Sequence, residues 1–288
     1  MKMNNAKYRA TKTLQIASLS GLLAIVSLMT GPVQAASQDK IPGYTNTPLV
    51  PGTKWHVHDP NRPQPKIVTT AGPISQPPPS DAIVLFDGQS MDAFARSWGN
   101  KNPVEWLIKD GVVTIQKDPK TGKNQSIRTK QSFGDMQLHV EWRSPAQLEK
   151  HPPARGNSGL FLMGRYELQI MQSHNNKNYP DGQAAAVYGQ TPPLVNASRP
   201  ADEWNSYDIV FEAPEFDKEG NVLKKAHVTV FHNGVLVQLR TPILGPTRHK
   251  KTTPYKAHKA KEPLVIQDHG SPVSFRNIWV RELDLTRP

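Results

Sequence analysis

Residues 156–172 read GNSGLFLMGRYELQIMQ and hold the clearest strand pattern in the chain. Apolar and polar residues alternate after Gly164: the first set is Tyr166, Leu168 and Ile170, and the second is Arg165, Glu167, Gln169 and Met171. Because successive side chains of a β-strand point to opposite faces, we expect one apolar and one polar face. A polar face of this kind can bind sugar hydroxyls, which need fixed donors and acceptors. An amphipathic strand with a solvated outer face is the alternative.

The rest of the chain from residue 81 onward also has a β pattern. Asn233-Gly234 stands between two apolar runs, which is a strong signal for a two-residue hairpin turn. Further strand candidates are residues 82–86, 105–108, 112–115, 136–143, 160–163, 184–188, 207–212, 228–232, 235–237, 263–268 and 275–283. Short strands joined by Gly, Pro and Asn turns predict an all-β fold, a two-sheet antiparallel sandwich or jelly roll.

The first 35 residues have the features of a secretory signal peptide. Four basic residues precede an apolar run from Leu14 to Met29, and Val33-Gln34-Ala35 supplies small residues for cleavage. The run is interrupted by polar residues, so we expect no stable membrane span after cleavage. The chain has no cysteine, so it contains neither a disulfide nor a lipid-modified cysteine. We therefore predict a periplasmic or secreted protein that is held together by its core alone.

Residues 36–80 are predicted to be an N-terminal arm or linker ahead of a domain at 81–288. They contain ten prolines and little apolar periodicity, which favours extended, stiff chain. Trp55, His56 and His58 stand out within this arm. Two histidines are a weak metal signal, because stable sites usually use three or four ligands, so we expect Trp55 to dock on the domain instead.

The positive charge of the chain is concentrated in one segment. The formal charge is +11, and the first 35 residues carry four basic and no acidic side chains, which leaves +7. Residues 240–261 contain seven Lys and Arg and no Asp or Glu, so the charge of this segment alone equals the remaining net charge of +7. A local basic loop with prolines does not predict a nucleic-acid partner. Contact between Arg240–Lys261 and an anionic glycan is one expectation, and a merely solvated loop is the other.

Five motifs, in order, resemble the 3-keto-disaccharide hydrolase family. They are Leu85-Phe86-Asp87-Gly88, Asn157-Ser158-Gly159-Leu160-Phe161, Tyr166-Glu167-Leu168-Gln169-Ile170, Glu203-Trp204-Asn205 and the stretch from Gln267-Asp268-His269-Gly270 to Arg276-Asn277-Ile278-Trp279. The resemblance covers residues 81 to about 285. It implies a concanavalin A-like jelly roll that acts on glycosides oxidised to a ketone at carbon 3 of the sugar.

The resemblance also suggests roles for individual residues. Glucanases of this general shape carry three acidic residues at alternating positions of one strand, whereas the corresponding positions here hold Glu167, Gln169 and Met171. Because ordinary glycoside cleavage uses two carboxyl groups, we expect a mechanism in which the ketone assists and one base suffices. Glu167 and His269 are the candidate catalytic pair, in either assignment of base and partner. The candidate substrate-binding residues are Arg165, Gln169, Asn157, Arg276, Gln267 and Trp204.

Several of these residues also have a purely structural interpretation. Glu167 could pair with Arg165 or Arg276, and the nearby Arg165 would favour its ionised form. Asn157 could only shape a turn, and Trp204 could be a core residue. A divalent metal held by His174, Glu167 and His269 is a further hypothesis, in which the ion would stabilise an enolate as a Lewis acid.

Three functions follow as alternatives. The first is an exported enzyme that cleaves 3-keto-glycosides, as a hydrolase or as a lyase by base-catalysed elimination. The second is a non-catalytic carbohydrate-binding module on the same jelly roll. The third is an envelope interaction protein that uses the arm and the basic loop. The motifs lie on one polar face without a row of exposed aromatic residues, which favours the enzyme.

Overall fold

The structure, a computed structural model, describes residues 41–97, 103–146 and 155–285. The predicted signal peptide lies outside these ranges. Within them no helix is long and apolar enough to cross a membrane. The regular structure described is almost entirely β-strand, with one short 3₁₀ helix at Pro180–Gly182.

The strands are β1 (Lys66–Ile67), β2 (Ile83–Phe86), β3 (Phe94–Arg96), β4 (Leu107–Lys109), β5 (Val112–Thr114), β6 (Ile127–Phe133), β7 (Met136–Arg143), β8 (Ser158–Leu162), β9 (Tyr166–Ile170), β10 (Val195–Asn196), β11 (Trp204–Glu212), β12 (Glu215–Phe216), β13 (Val222–Lys224), β14 (His227–His232), β15 (Val235–Pro242), β16 (Glu262–Ile266) and β17 (Ser274–Glu282).

Two antiparallel sheets form a sandwich, as predicted. An eight-stranded sheet has the order β15-β14-β11-β7-β17-β5-β4, with β2 also paired to β17, and a five-stranded sheet has the order β3-β6-β16-β8-β9. Alternate residues of both sheets meet in one core, whose largest fully buried members include Trp142, Tyr166, Tyr207 and Phe275. The Tyr207 hydroxyl on β11 donates to the Gln169 carbonyl on β9 at 2.9 Å, which ties the two layers together. Large aromatic residues of this kind dominate the energetics of a core.

Several strands lie where the sequence predicts them. The candidate at residues 136–143 is β7, and the Asn233-Gly234 turn joins β14 to β15. Both turn residues have a positive φ, 51° and 78°, which matches the twist of a hairpin. Residues 184–188 are a wrong prediction, because they form isolated bridges beside β9 rather than a strand. Ala185 has φ 64°, and this left-handed residue interrupts the extended ladder.

Two corrections concern the basic residues. Strand β6 is absent from the predicted strands because charged residues such as Arg128 and Lys130 obscure its short apolar alternation. The predicted basic loop at 240–261 begins after β15, since this strand runs to Pro242. Arg240 lies in that strand, and its guanidinium pairs with Glu212 at 2.9 Å.

Residues 41–80 are packed on the sandwich rather than free of it. Within them residues 48–57 fold back on themselves, with an antiparallel bridge between Leu49 and His56. Strand β1 pairs in parallel with β10. Val50 and Val57 are almost fully buried, and the Arg62 guanidinium donates to the Gln190 carbonyl at 2.8 Å. Further along, the Asn277 amide donates to the Gln76 carbonyl at 2.8 Å. The arm therefore contacts both the region near β9 and the outer face of the eight-stranded sheet.

Candidate functional site

The hairpin of β8 and β9 presents polar side chains on the outer face of the five-stranded sheet. The core-facing set of β9 is Tyr166, Leu168 and Ile170, and the outward set of this segment is Glu167, Gln169 and Met171. The predicted alternation is confirmed. All five residues of β9 are nevertheless buried, so the polar face is covered and is not an ordinary solvated surface.

A cavity of about 490 Å³ lies over this polar face. Its walls come from β8, from β9, from segments that follow β9 and β15, and from the loop after β16. The lining residues are Asn157, Phe161, Glu167, Gln169, Met171, Asn178, Tyr179, Tyr188, Thr247, Arg248, His249, Gln267 and His269. Amides, imidazoles and aromatic rings around one carboxyl group give the mixture of polar and apolar surface that small-molecule sites use.

Glu167 is the only carboxylate among the described residues that line this cavity. Its side chain is 7% exposed, and no described side chain donates to its carboxyl group or forms an ion pair with it. Burial alone raises its pKa from 4.5 to about 8. A group with a pKa near neutrality can both accept and release a proton at physiological pH, which suits general acid or base catalysis.

The carboxyl group has room because its neighbour on β8 is a glycine. Gly159 pairs with Gln169 across the hairpin and is a diagonal neighbour of Glu167, two register positions away. A Cβ at Gly159 would stand 2.5 Å from Glu167 Oε1, which is closer than real Cβ contacts. Any larger residue at Gly159 would therefore displace the carboxyl group.

Tyr179, Tyr188 and His249 form a hydrogen-bonded wall beside Glu167. The Tyr188 hydroxyl lies 3.0 Å from His249 Nδ1 and 3.3 Å from the Tyr179 hydroxyl. Burial raises the pKa of Tyr179 to about 12 and also raises that of Tyr188, so both phenols stay neutral. The pKa of His249 is lowered by burial and by the nearby His58, so its imidazole is neutral at pH 7. The wall therefore presents neutral donors and acceptors.

A buried pair supports this wall from behind. His58 of the arm and Asp181 are both fully buried, and His58 Nδ1 lies 3.1 Å from Asp181 Oδ1. The His58 ring packs on Tyr179 at 4.2 Å and on Tyr188 at 4.8 Å between centroids. The arm thus contributes to the site through His58, while His56 bonds to the Thr47 carbonyl. The two arm histidines therefore have different partners and do not form a shared site.

The structure brings five of the predicted site residues together. Asn157, Glu167, Gln169, Gln267 and His269 all line the cavity. Gln169 Oε1 and Asn157 Oδ1 are buried and have no hydrogen-bond partner in the described structure. Unpaired buried acceptors are costly, so they are available for a ligand that donates hydrogen bonds.

Three other predicted residues lie elsewhere. Arg165 does not line the cavity, and its guanidinium pairs with Glu262 at 3.7 Å. The expectation that Arg165 favours the ionised form of Glu167 is therefore wrong, because burial dominates and raises the pKa. Arg276 and Trp204 are on the eight-stranded sheet, where the guanidinium stacks on the indole at 4.1 Å. Trp204 is only partly buried and so is not a core residue either.

The predicted metal ligands are not gathered. His174 does not line the cavity, and its Nδ1 lies 3.3 Å from the Ser198 carbonyl. Within residues 41–97, 103–146 and 155–285, no group of three or more His, Cys, Asp and Glu side chains is arranged to hold a metal ion. The residues present therefore do not fit the proposed divalent ion.

Sequence reasoning gave no site role to Tyr179, Tyr188, His249 or Asp181, and it considered His58 only as a weak metal signal. Tyr188 ends the stretch that was wrongly predicted as a strand, and the structure alone brings these residues together. The one available signal was the Asn178-Tyr179-Pro180-Asp181-Gly182 stretch, whose composition is typical of a turn. It could indicate a turn near β9 but not its contact with the cavity.

Comparisons with known proteins agree with the fold. A family model described as the 3-keto-alpha-glucoside-1,2-lyase-like domain matches residues 81–281. A 3-keto-disaccharide hydrolase of Bacteroides thetaiotaomicron is 22% identical over 238 residues, which are 70% of this chain and 78% of that protein.

Solved structures give a similar result. A candidate glycosyl hydrolase of Parabacteroides distasonis is 43% identical, with a TM-score of 0.67, over 77% of this chain and 93% of that one. A second structure from the same organism, also described as a candidate glycosyl hydrolase, is 17% identical with a TM-score of 0.50, over 71% and 94% of the two chains. The second likeness shows the fold alone.

Proposed function

The chain belongs to the family of 3-keto-alpha-glucoside-1,2-lyase-like domains, and from this premise we propose that it is an exported enzyme that cleaves 3-keto-glycosides. The relatives named as hydrolases support a glycosidase-type activity. The 3-keto substrate and the periplasmic or secreted location are the finer parts of the proposal. The observation that carries it is a single buried carboxyl group, Glu167, in a cavity lined with amides and aromatic rings.

One carboxyl group favours a ketone-assisted mechanism. Ordinary retaining and inverting glycosidases use two carboxyl groups roughly 5–10 Å apart. Among the described lining residues Glu167 has no such partner, and Asp181 is fully buried behind the tyrosine wall in its pair with His58. A ketone at carbon 3 makes the proton on carbon 2 acidic, so one base can start the reaction.

The proposed step is an elimination. Ionised Glu167 takes the proton from carbon 2, and the electron pair left behind forms an enolate with the carbon 3 ketone. The enolate then forms a double bond between carbons 1 and 2 as the bond from carbon 1 to the glycosidic oxygen breaks. The protonated Glu167 then gives this proton to the leaving oxygen, which restores the ionised carboxylate. Addition of water across the new double bond would complete a net hydrolysis.

The cavity also contains hydrogen-bond donors that could stabilise the negative charge on the enolate oxygen. Donors aimed at a developing oxyanion in a water-poor site are usually the largest single contribution to catalysis. The neutral Tyr179 and Tyr188 phenols and the His269 imidazole all line the cavity with Glu167. Gln169, Asn157 and Gln267 supply amides for the sugar hydroxyl groups.

The decisive experiment is turnover of a 3-keto-glucoside with a chromogenic leaving group, beside its unoxidised parent. We expect release from the keto compound alone. Because Glu167 must be ionised to act as a base, kcat/KM should rise about tenfold from pH 7 toward a plateau above its pKa of about 8. Equal release from both compounds, or activity that falls as the pH rises through 8, would overturn the mechanism.

A carbohydrate-binding module is the second candidate function. The rings of Phe161, Tyr179 and Tyr188 at the cavity favour it, because flat aromatic surfaces and amides are sufficient to bind a sugar. This function predicts that the keto-glucoside binds without any release of the leaving group. Binding measured by calorimetry together with zero turnover would establish it in place of the enzyme.

A further inference from the structure

A second depression adjoins the cavity and is lined by basic residues. Its volume is about 200 Å³, and it shares Phe161, Thr247 and Arg248 with the cavity. Arg165 and Lys256 also line it. Arg165 Nε is buried and has no hydrogen-bond partner in the described structure. The cavity is thus continuous with a positively charged neighbour.

A third depression continues in the same direction. Its volume is about 530 Å³, and Arg165 of the second depression pairs with Glu262 of the third at 3.7 Å. The basic residues that line the third depression are Arg128, Lys130, Lys259 and Lys261. These belong to β6 and to the segment before β16, so two separate parts of the chain build one basic surface.

Strand register places Arg128 on the sheet face that carries Glu167. Arg128 is opposite Val265, Val265 is opposite Phe161, and Phe161 is opposite Glu167. Directly opposed residues of neighbouring strands point to the same face. Three strand spacings of about 4.8 Å put Arg128 roughly 14 Å from Glu167 along this row. The basic residues therefore lie along a path across the sheet that begins at the candidate catalytic carboxyl group.

The charges on this path are largely unbalanced. Arg128, Lys130 and Lys259 are exposed, and none of them forms an ion pair with a described residue. Lys261 pairs with Glu282. Glu262 is the one described carboxylate that lines the second and third depressions, and Arg165 partly neutralises it. Clefts lined by one sign of charge attract ligands of the opposite sign.

We propose that this path, which we call the basic path, binds an anionic oligosaccharide whose cleavable end lies in the Glu167 cavity. The proposal rests on the proposed function for the position of the cleavable end. Carboxylate or sulfate groups on the sugars would pair with the basic residues, and Arg suits them because its planar guanidinium matches their oxygen geometry. The sequence predicts that residues 240–261 contact an anionic glycan, and the basic path adds Arg128, Lys130 and Arg165 to that surface. Arg240 is not part of the path, because it pairs with Glu212 on the other sheet.

Binding can be tested without turnover. The wild-type protein would be titrated by calorimetry with a tetramer of galacturonic acid and, separately, with a tetramer of glucose. We expect the acidic tetramer to bind at least about tenfold more tightly at 50 mM salt, and the difference to shrink strongly at about 0.5 M salt, where screening shortens the reach of exposed charges to a few ångströms. Equal affinity for the two tetramers would overturn the proposal.

Charge reversal locates the binding. The double variant Arg128→Glu and Lys130→Glu should weaken the acidic tetramer about tenfold or more and leave the glucose tetramer unchanged. Lys109→Glu is the matched control, because Lys109 is an exposed strand lysine on the other sheet. An equal loss in the control, or no loss in the double variant, would contradict the basic path.

The outcomes separate the two proposals. If the acidic tetramer binds through the path but no 3-keto-glycoside is cleaved, the basic path stands and the enzyme fails. If a neutral 3-keto-glycoside is cleaved while acidic sugars show no preference, the enzyme stands and the basic path fails. Binding of a polyphosphate as tightly as the acidic tetramer would show a general anion surface and overturn the assignment to glycans.

Discussion

The protein has a buried glutamate on the outer face of each sheet, and the two differ in the hydrogen-bond donors around the carboxyl group. Glu167 on β9 and Glu141 on β7 each lie on the outer face of a sheet, and each is covered by other segments. The carboxyl group of Glu167 has no described partner, and burial raises its pKa to about 8. Burial also acts to raise the pKa of Glu141, but hydrogen bonds from its neighbours lower it to about 2.

The neighbours of Glu141 come from the arm, from β17 and from β7 itself. Ser75 of the arm donates to it at 2.6 Å, Arg276 at 2.7 Å and Asn277 at 2.9 Å, and His139 lies 3.6 Å away. Burial by itself therefore does not decide what a carboxyl group does in this protein. The number of donors decides it: many donors make a fixed structural anion, and none leaves a group that can exchange protons near neutral pH.

The largest effect should be on activity. Glu167→Gln removes the base and should lower kcat on a 3-keto-glucoside by about 10²–10⁴-fold. Glu141→Gln, the matched control on the other sheet, should leave kcat within a few-fold. Stopped assays with saturating substrate would measure both. A comparable loss in the two variants would show that the contrast between the glutamates is not functional.

The second effect is on stability, and here the Glu141 variant should show the loss. Glu141→Gln turns one acceptor into a donor that faces Arg276 and Asn277, so it should lower the free energy of unfolding by about 3–5 kcal/mol at pH 7. The pKa of Glu141 is depressed, so its stabilisation is present above pH 4.5 and is lost as the pH falls through 2. Denaturant unfolding at pH 7 and pH 3 would show a smaller difference at the lower pH.

The third effect is that Glu167→Gln should be more stable than the wild type at high pH. The pKa of Glu167 is raised from 4.5 to about 8, so its contribution to the stability of the wild type should be greatest below pH 4.5, should fall between pH 4.5 and 8, and should level off above pH 8. Glu167→Gln carries no such charge and should be more stable than the wild type at pH 9 by on the order of 4–5 kcal/mol. At pH 5 the two proteins should unfold almost together. Equal stability at pH 9 would mean that the carboxyl group is solvated.

The smallest effect tests the arm. Ser75→Ala removes one hydrogen bond to Glu141 and should lower the free energy of unfolding by about 1–2 kcal/mol. The double variant with Glu141→Gln should be less destabilised than the sum of the two single variants, because both changes act on one network. Strict additivity would indicate that the arm does not share in that network.

The two glutamates also show which features can be predicted from sequence: a local pattern can be, and a contact between distant residues cannot. The alternation in residues 166–170 is local, because a strand has a fixed two-residue period, and it correctly placed Glu167 and Gln169 on one face. Asn157, Gln267 and His269 came from the family resemblance and do line the cavity. Arg276 lies on the other sheet beside Glu141, and nothing in its local sequence shows that its neighbour is Glu141 rather than Glu167.

The sequence by itself determined the all-β sandwich, the Asn233-Gly234 hairpin and the polar face of β9, because period and turn chemistry act between residues a few positions apart. Only the tertiary structure decided that Tyr179, Tyr188 and His249 enclose Glu167. It also decided the packing of the arm and the pKa of each buried glutamate. These features depend on contacts between residues distant in the chain, and a carboxyl group responds to the donors around it in space rather than to its neighbours in sequence.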